Sequence, residues 1–158
     1  MEIVPFLVKL EGEPTAISSG GYYSACLMKD GTIFSFGSNK HNRAGHPGSE
    51  DTILVPRRIP GIKDITMIAC GDWHMMALAS NGKCYGIGYN KQGALAIGTT
   101  TDCANFEVVQ YKDPIKAVFA GQNYSMFLDP SNKLLSTGNG KLHGNHSTEN
   151  IIVPTLVF

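Results

Sequence analysis

Apolar positions along this chain come in short runs, each ended within a few residues by a turn signal. "YYSACLMKDGTIFSFG" (residues 22–37) is two such runs around Asp30-Gly31, and "WHMMALASNGKCYGIG" (residues 73–88) is two runs around Asn81-Gly82. Runs of this length around Asp-Gly or Asn-Gly predict hairpins of two short strands, because glycine accepts the positive φ of a tight turn. A third stretch, "YSMFLDPSNKLLSTG" (residues 124–138), places Pro130 and Asn132 at the turn instead. A further apolar run precedes each hairpin, at 16–18, 65–69 and 115–120. No stretch keeps an apolar period of 3.6 over a helical length, so helices are expected to be minor.

The three hairpins are copies of one unit. Gly20, Gly71 and Gly121 open them, 51 and 50 residues apart. Tyr23, His74 and Tyr124 follow three residues on, then Leu27, Leu78 and Leu128. The turns fall at Gly31, Gly82 and Asn132, and the units close on Gly37, Gly88 and Gly138. Proline-led segments share the register at Pro5, Pro56 and Pro154, with Phe106 at that place in between. With that segment counted first, the chain divides into units of about 5–55, 56–105 and 106–153, with the first strand of a further unit at 154–158. A period near 50 with four short strands per unit predicts propeller-type blades. The fold class expected is all-β, with blades of four short antiparallel strands, in a single repeat domain over residues 1–158.

Composition agrees with this and narrows the function. Only 16% of residues are charged, while Gly numbers 18 and Pro 8, which suits short strands and tight loops. Thirteen basic and thirteen acidic residues balance, and Arg57-Arg58 is the longest basic run. The dense positive footprint of a nucleic-acid binder is therefore missing. Cys26, Cys70, Cys84 and Cys103 form no C-x-x-C pair, and a disulfide framework does not fit so Cys-poor a chain. The N-terminus carries Glu2 and Pro5 within its apolar run, unlike a secretory leader. No apolar run reaches a membrane-spanning length. A cytoplasmic or nuclear location is expected.

The shared pattern is glycine, two residues, His or an aromatic, a Leu, Asp/Asn-Gly, then aromatic-Gly-x-Asn. It resembles the repeat of the regulator of chromosome condensation family. Gly71, His74, Leu78, Asn81, Gly82, Gly88 and Asn90 carry the resemblance best; Gly20, Leu27, Asp30, Gly31, Phe36, Gly37 and Asn39 repeat it. The third copy keeps Gly121, Leu128, Asn132 and Gly138 but has Gly140 at the Asn position. "YNKQGALAIG" (residues 89–98) resembles the family's Asn-x-x-Gly-Gln-Leu-Gly segment, with Gln and Gly in altered order. The resemblance implies a seven-bladed β-propeller, of which about three blades are present. Such an arc has two apolar blade faces to cover, by self-association or by further chain. The resemblance also implies that exchange of guanine nucleotide on a Ran-like small GTPase draws on loop residues of one propeller face. Asp72 and His74 fall at such positions.

Asp72 and Trp73 occupy the loop after a motif glycine, where Gly21-Tyr22 and Gln122-Asn123 stand in the other copies. Loops on a rigid scaffold carry binding residues, so Tyr22, Asp72, Trp73, His74 and Asn123 are the candidate partner-binding residues. His74 beside Asp72 has the composition of a general base. Tyrosine at both equivalent positions favours a structural role bonding within or between blades. The eight glycines Gly20, Gly31, Gly37, Gly71, Gly82, Gly88, Gly121 and Gly138 are expected to be structural. His143 and His146 form H-x-x-H without further ligands at zinc spacing. "GNGKLHG" lacks the Ser/Thr of a phosphate loop. The polar stretch 38–52 reads as a long loop whose His41, Arg43 and His46 could meet an acidic partner. No nucleophile elbow, metal set or cofactor motif is found. The expected function is a non-enzymatic protein–protein interaction module. The alternative is an exchange factor for a Ran-like small GTPase, or a fragment of one.

Overall fold

The structure is a computed structural model and describes residues 7–48, 50–142, 144 and 148–157. Among these, twelve strands form three four-stranded antiparallel sheets, each in simple meander order. The first holds β1 (Pro14–Ser19), β2 (Tyr23–Met28), β3 (Ile33–Ser38) and β4 (Thr52–Arg58). The second holds β5 (Ile65–Cys70), β6 (His74–Ala79), β7 (Cys84–Gly88) and β8 (Cys103–Val108). The third holds β9 (Ala117–Ala120), β10 (Tyr124–Leu128), β11 (Leu134–Gly138) and β12 (Ile151–Leu156). A single 3-10 turn at Lys40–Asn42 is the only helical element described.

The sheets run one strand out of phase with the units read from the sequence. Pro56 lies on β4, which pairs with β3 through Phe34–Arg58 and Gly37–Ile53, so it closes the first blade rather than opening the second. Phe106 on β8 closes the second blade in the same way. Pro154 lies on β12, which pairs with β11 and completes the third blade; it does not begin a fourth. A repeat has no privileged starting point in sequence, and only the ladder decides which strands share a sheet. Each of these strands is an outer edge, where a proline lacking its N–H interrupts no interior ladder. Pro5 lies outside the described residues.

Two glycine positions explain why the unit is spelled as it is. Gly37, Gly88 and Gly138 have φ of 101°, 109° and 104°, and each ends a register shift between the third and fourth strands. A Cβ there would sit 2.4–2.7 Å from the carbonyl oxygens of Asn123, Tyr22 or Trp73. Both the left-handed backbone and the close approach therefore demand glycine. Gly20 and Gly71 do a different job. A Cβ on Gly20 would lie 2.2 Å from the Gly71 oxygen, and one on Gly71 would lie 2.3 Å from the Gly121 oxygen. Successive blades touch there backbone to backbone.

The apolar core lies between sheets. Tyr23, Ala25, Leu27 and Ile33 of the first blade meet Ile68, Met75, Ala77 and Ile87 of the second. On its other face the second blade sends Ala69, Met76, Leu78 and Cys84 against Val118, Phe127 and Leu135 of the third. Every residue of β6 is consequently buried. All four cysteines are unpaired. Burial pushes the Cys70 thiol up to about 11 and the Cys84 thiol to about 12, which keeps both protonated and inert.

Candidate docking rim

Antiparallel strands alternate direction, so the short first loop and the long third loop of every blade leave the sheet at the same end. Residues 20–22, 71–73 and 121–123 therefore share a rim with the described residues of the third loops, 39–48, 50–51, 89–102, 139–142, 144 and 148–150. Tyr22, Asp72, Trp73 and Asn123 all reach this rim. Tyr22 is 75% exposed, and the other three are half-buried.

Trp73 is the centre of the rim. On one side the Arg43 guanidinium stacks 4.6 Å from its ring centroid and 5.8 Å from that of Tyr22. Arg43 itself is buried and donates to the Ser38 carbonyl at 3.3 Å, to the Asp72 carbonyl at 3.1 Å and to the Ser38 hydroxyl. It ties the long loop of the first blade to the short loop of the second, and fixes Trp73 as it does so. Burial pulls the Arg43 pKa down, against the opposing pull of Tyr23, Asp72 and Tyr22. On the other side, His41 sits edge-on to Trp73 and Tyr89, which are tilted against each other, with centroids 5.1–6.3 Å apart. With Gln92 and Asn123 they line a shallow hollow of about 300 Å³. The Asp102 carboxylate flanks it, 3.3 Å from His41 Nδ1 and 3.9 Å from Lys91 Nζ. The same carboxylate accepts the Asn90 backbone N–H at 2.9 Å.

His74 does not belong to this surface. It is fully buried, so no partner can reach it. Its Nε2 lies 2.8 Å from Ser125 Oγ, whose own hydroxyl donates to the Ala94 carbonyl at 2.8 Å. The serine's single proton is thereby committed, and Nε2 is the donor of the pair. Nδ1 is left as a buried acceptor without a partner among the described residues. Burial lowers the His74 pKa to about 4, so the ring is neutral. The Tyr23 hydroxyl, 51 residues earlier, donates to the His74 carbonyl at 2.5 Å. This repeat position bonds blade to blade.

Of the loop residues, His41 is exposed at the hollow, whereas Arg43 and His46 are buried and unavailable to an acidic partner. His46 Nε2 sits 2.9 Å from Ser35 Oγ, and its backbone is bracketed by Asn39. Asn39 and Asn90 are the same brace in two blades. The Asn90 amide donates to the Thr99 and Thr101 carbonyls at 2.8 and 3.1 Å and accepts from the Leu95 N–H at 2.9 Å. At Gly140 a side chain would collide with the Thr148 and Glu149 backbone at 2.3 Å. There the brace comes from the far end of the loop, where Asn150 Oδ1 accepts the Gly140 N–H at 3.3 Å. Tyr89, Gln92 and Asp102 are not among the binding residues expected from sequence, although Tyr89 and Gln92 lie in the 89–98 segment that carries the family resemblance. Tyr89 occupies the variable place in Gly-x-Asn, Gln92 stands in the family-like segment without a sign of exposure, and Asp102 lies in a loop without periodicity. His143 and His146 lie outside the described residues.

The regulator of chromosome condensation (RCC1) repeat matches residues 30–78, and a second form of that repeat matches residues 15–43 and 65–94. The chain belongs to the RCC1-repeat family. It is 32% identical over 136 residues to the RCC2 homolog of Xenopus laevis, covering 84% of this chain and 26% of that protein. In fold it resembles Prp20p of Saccharomyces cerevisiae, at a TM-score of 0.82 and 22% identity over 92% of this chain and 38% of that one. Human WBSCR16 superposes at a TM-score of 0.86 with 19% identity, over 97% of this chain and 43% of that chain. The chain thus spans about a quarter of the length of the RCC2 homolog and under half of either RCC1-type propeller. No described helix is long and apolar enough to cross a membrane.

Proposed function

We propose that this chain is a non-enzymatic docking module and that the Trp73 rim holds its protein partner. The carrying observation is the Trp73–Tyr89–His41 group, wide enough to offer apolar contact and held rigid by a buried arginine. Aromatic side chains fixed before binding lose little entropy on contact and dominate protein interfaces. The mechanism is binding alone. Loops present Tyr22, Asp72, Trp73 and Asn123, the blades supply rigidity, and no bond is made or broken. The buried unpaired thiols suit a reducing cytoplasmic or nuclear setting.

A second reading has a specific support. Prp20p, which shares the fold, is described by its binding to Gsp1p and histones. Guanine-nucleotide exchange would use the same rim, with Asp72 among the inserting residues. Titration of Gsp1p and of histones against the chain, with Trp73→Ala and Tyr89→Ala beside it, tests the docking proposal. A rim hot spot loses about tenfold or more in affinity on truncation. Unchanged affinity in both variants would remove the rim from consideration. Release of a fluorescent guanine nucleotide from Gsp1p, slowed by Asp72→Ala, would favour exchange; binding without release would favour a scaffold.

A further inference from the structure

The hollow beside Trp73 is rich in hydrogen-bond donors and poor in free acceptors. His41, Trp73, Tyr89, Gln92 and Asn123 line it. No described residue takes a hydrogen bond from the Trp73 indole N–H, the Tyr89 hydroxyl or the Asn123 side-chain amide. Gln92 Oε1 accepts from Asn139 Nδ2 at 3.5 Å, which leaves the Gln92 NH2 group unclaimed among the described residues. None of these donors is sealed away, because His74 Nδ1 is the only buried, unpartnered side-chain nitrogen or oxygen among the described residues. The carboxylate at the edge of the hollow is already engaged. Asp102 Oδ1 takes the Asn90 N–H at 2.9 Å and lies 3.9 Å from Lys91 Nζ, while Oδ2 lies 3.3 Å from His41 Nδ1. A cationic side chain entering here would need acceptors, and it would meet Lys91 at the rim and Arg43 stacked on Trp73. The site offers the opposite: aromatic surface and spare donors.

A ligand that matches has apolar bulk, many carbonyl acceptors and few donors. A proline-rich segment in the polyproline II form has that chemistry. It makes no internal hydrogen bonds, so its carbonyls are free, and every proline removes one N–H. It is also extended before it binds, so docking onto an aromatic-lined surface costs it little entropy. The Trp73 and Tyr89 centroids lie 6.3 Å apart with the rings tilted by 54°. Polyproline II rises about 3.1 Å per residue, so residues close together on one segment reach both rings. Resting on the docking role proposed above for this rim, we infer that the hollow takes a proline-rich, polyproline II segment of the partner. Its rings lie on Trp73 and Tyr89, and its carbonyls accept from the Trp73 N–H, the Tyr89 hydroxyl and the amides of Gln92 and Asn123.

Trp73 is the only tryptophan in the chain, so its fluorescence reports on the hollow directly. Titration of the full 158-residue chain with deca-proline is expected to give a saturable shift in that emission. Glycine–serine and lysine peptides of the same length are expected to give none. Tyr89→Ala should weaken deca-proline about tenfold or more, as a truncated hot spot does. Tyr89→Phe keeps the ring and removes only the donor, and should weaken it about two- to tenfold, the worth of one hydrogen bond. Thermal melting of both variants checks that the fold is intact. No saturable response to deca-proline would overturn the inference, as would a response that Tyr89→Ala leaves unchanged. Binding of the lysine peptide in preference to deca-proline would overturn it in favour of a cation site. The docking reading fails separately. If Gsp1p or histones lose affinity on Trp73→Ala while deca-proline does not bind, the rim still docks a protein and only its proline chemistry falls.

Discussion

Replacing His74 with Gln separates the blade-to-blade bond from the ionisation of the ring. The imidazole has an ordinary pKa of 6.5 and is held near 4 by full burial. Its folded value is depressed, so the unfolded chain binds the proton more readily. Stability from this residue is intact above about pH 6.5 and declines as pH falls toward 4. At ~1.4 kcal/mol per pKa unit, the loss accumulates to about 3 kcal/mol by pH 4. A glutamine amide can donate to Ser125 Oγ as Nε2 does, and it does not titrate. Urea unfolding between pH 7.5 and 4 should therefore show the difference in stability between the unmodified chain and His74→Gln moving in favour of the variant as pH falls. His46 also has a pKa lowered, first by burial and then by Arg57, but it is common to both proteins and cancels. A stability difference that stays constant across that range would refute a neutral, buried His74 and the blade contact built on it.

Four other substitutions probe the packing, each read by the same urea unfolding. Phe127→Ala, at a fully buried position between the second and third blades, should cost about 3–5 kcal/mol; a cost below 1 would mean that the interface is not packed. Gly71→Ala puts a methyl 2.3 Å from the Gly121 oxygen and should destabilise by at least ~2 kcal/mol. A urea midpoint unchanged from the parent would rule out that close approach. Asn90→Ala removes three loop-bracing bonds and should cost about 2–3 kcal/mol, whereas Asn139→Ala, on a half-buried residue, should cost less than ~1. Equal effects would contradict the assignment of the brace.

Much of the fold was legible because local chemistry and tertiary structure agree. Gly31, Gly82 and Asn132 sit in turns at φ of 77°, 80° and 63°, as their residue types suggest. The phase of the blades was not legible. Nothing in "VPRRI" states which neighbour it will pair with, and the pairing with β3 follows from the reach of a long loop. Burial was only partly legible. Trp73 was recognisable as a loop residue, but His74 beside it opens β6, which is buried on both faces between two neighbouring blades. The rest of the rim, Tyr89 and His41 in particular, is assembled by two long loops from different blades, and no local pattern encodes that meeting. The missing third asparagine was visible as Gly140, but its replacement by Asn150 needed the loop's return path.

Nuclear Overhauser contacts in solution test the stacked-blade arrangement most directly. The Tyr23 ring should show contacts to His74, and the His74 ring to Gly71 and Ser125, with cross-strand Hα contacts linking 52–58 to β3 and 151–156 to β11. Absence of the contacts at the 51-residue spacing, or strand contacts that tie 52–58 to β5 instead, would contradict three like sheets stacked in sequence.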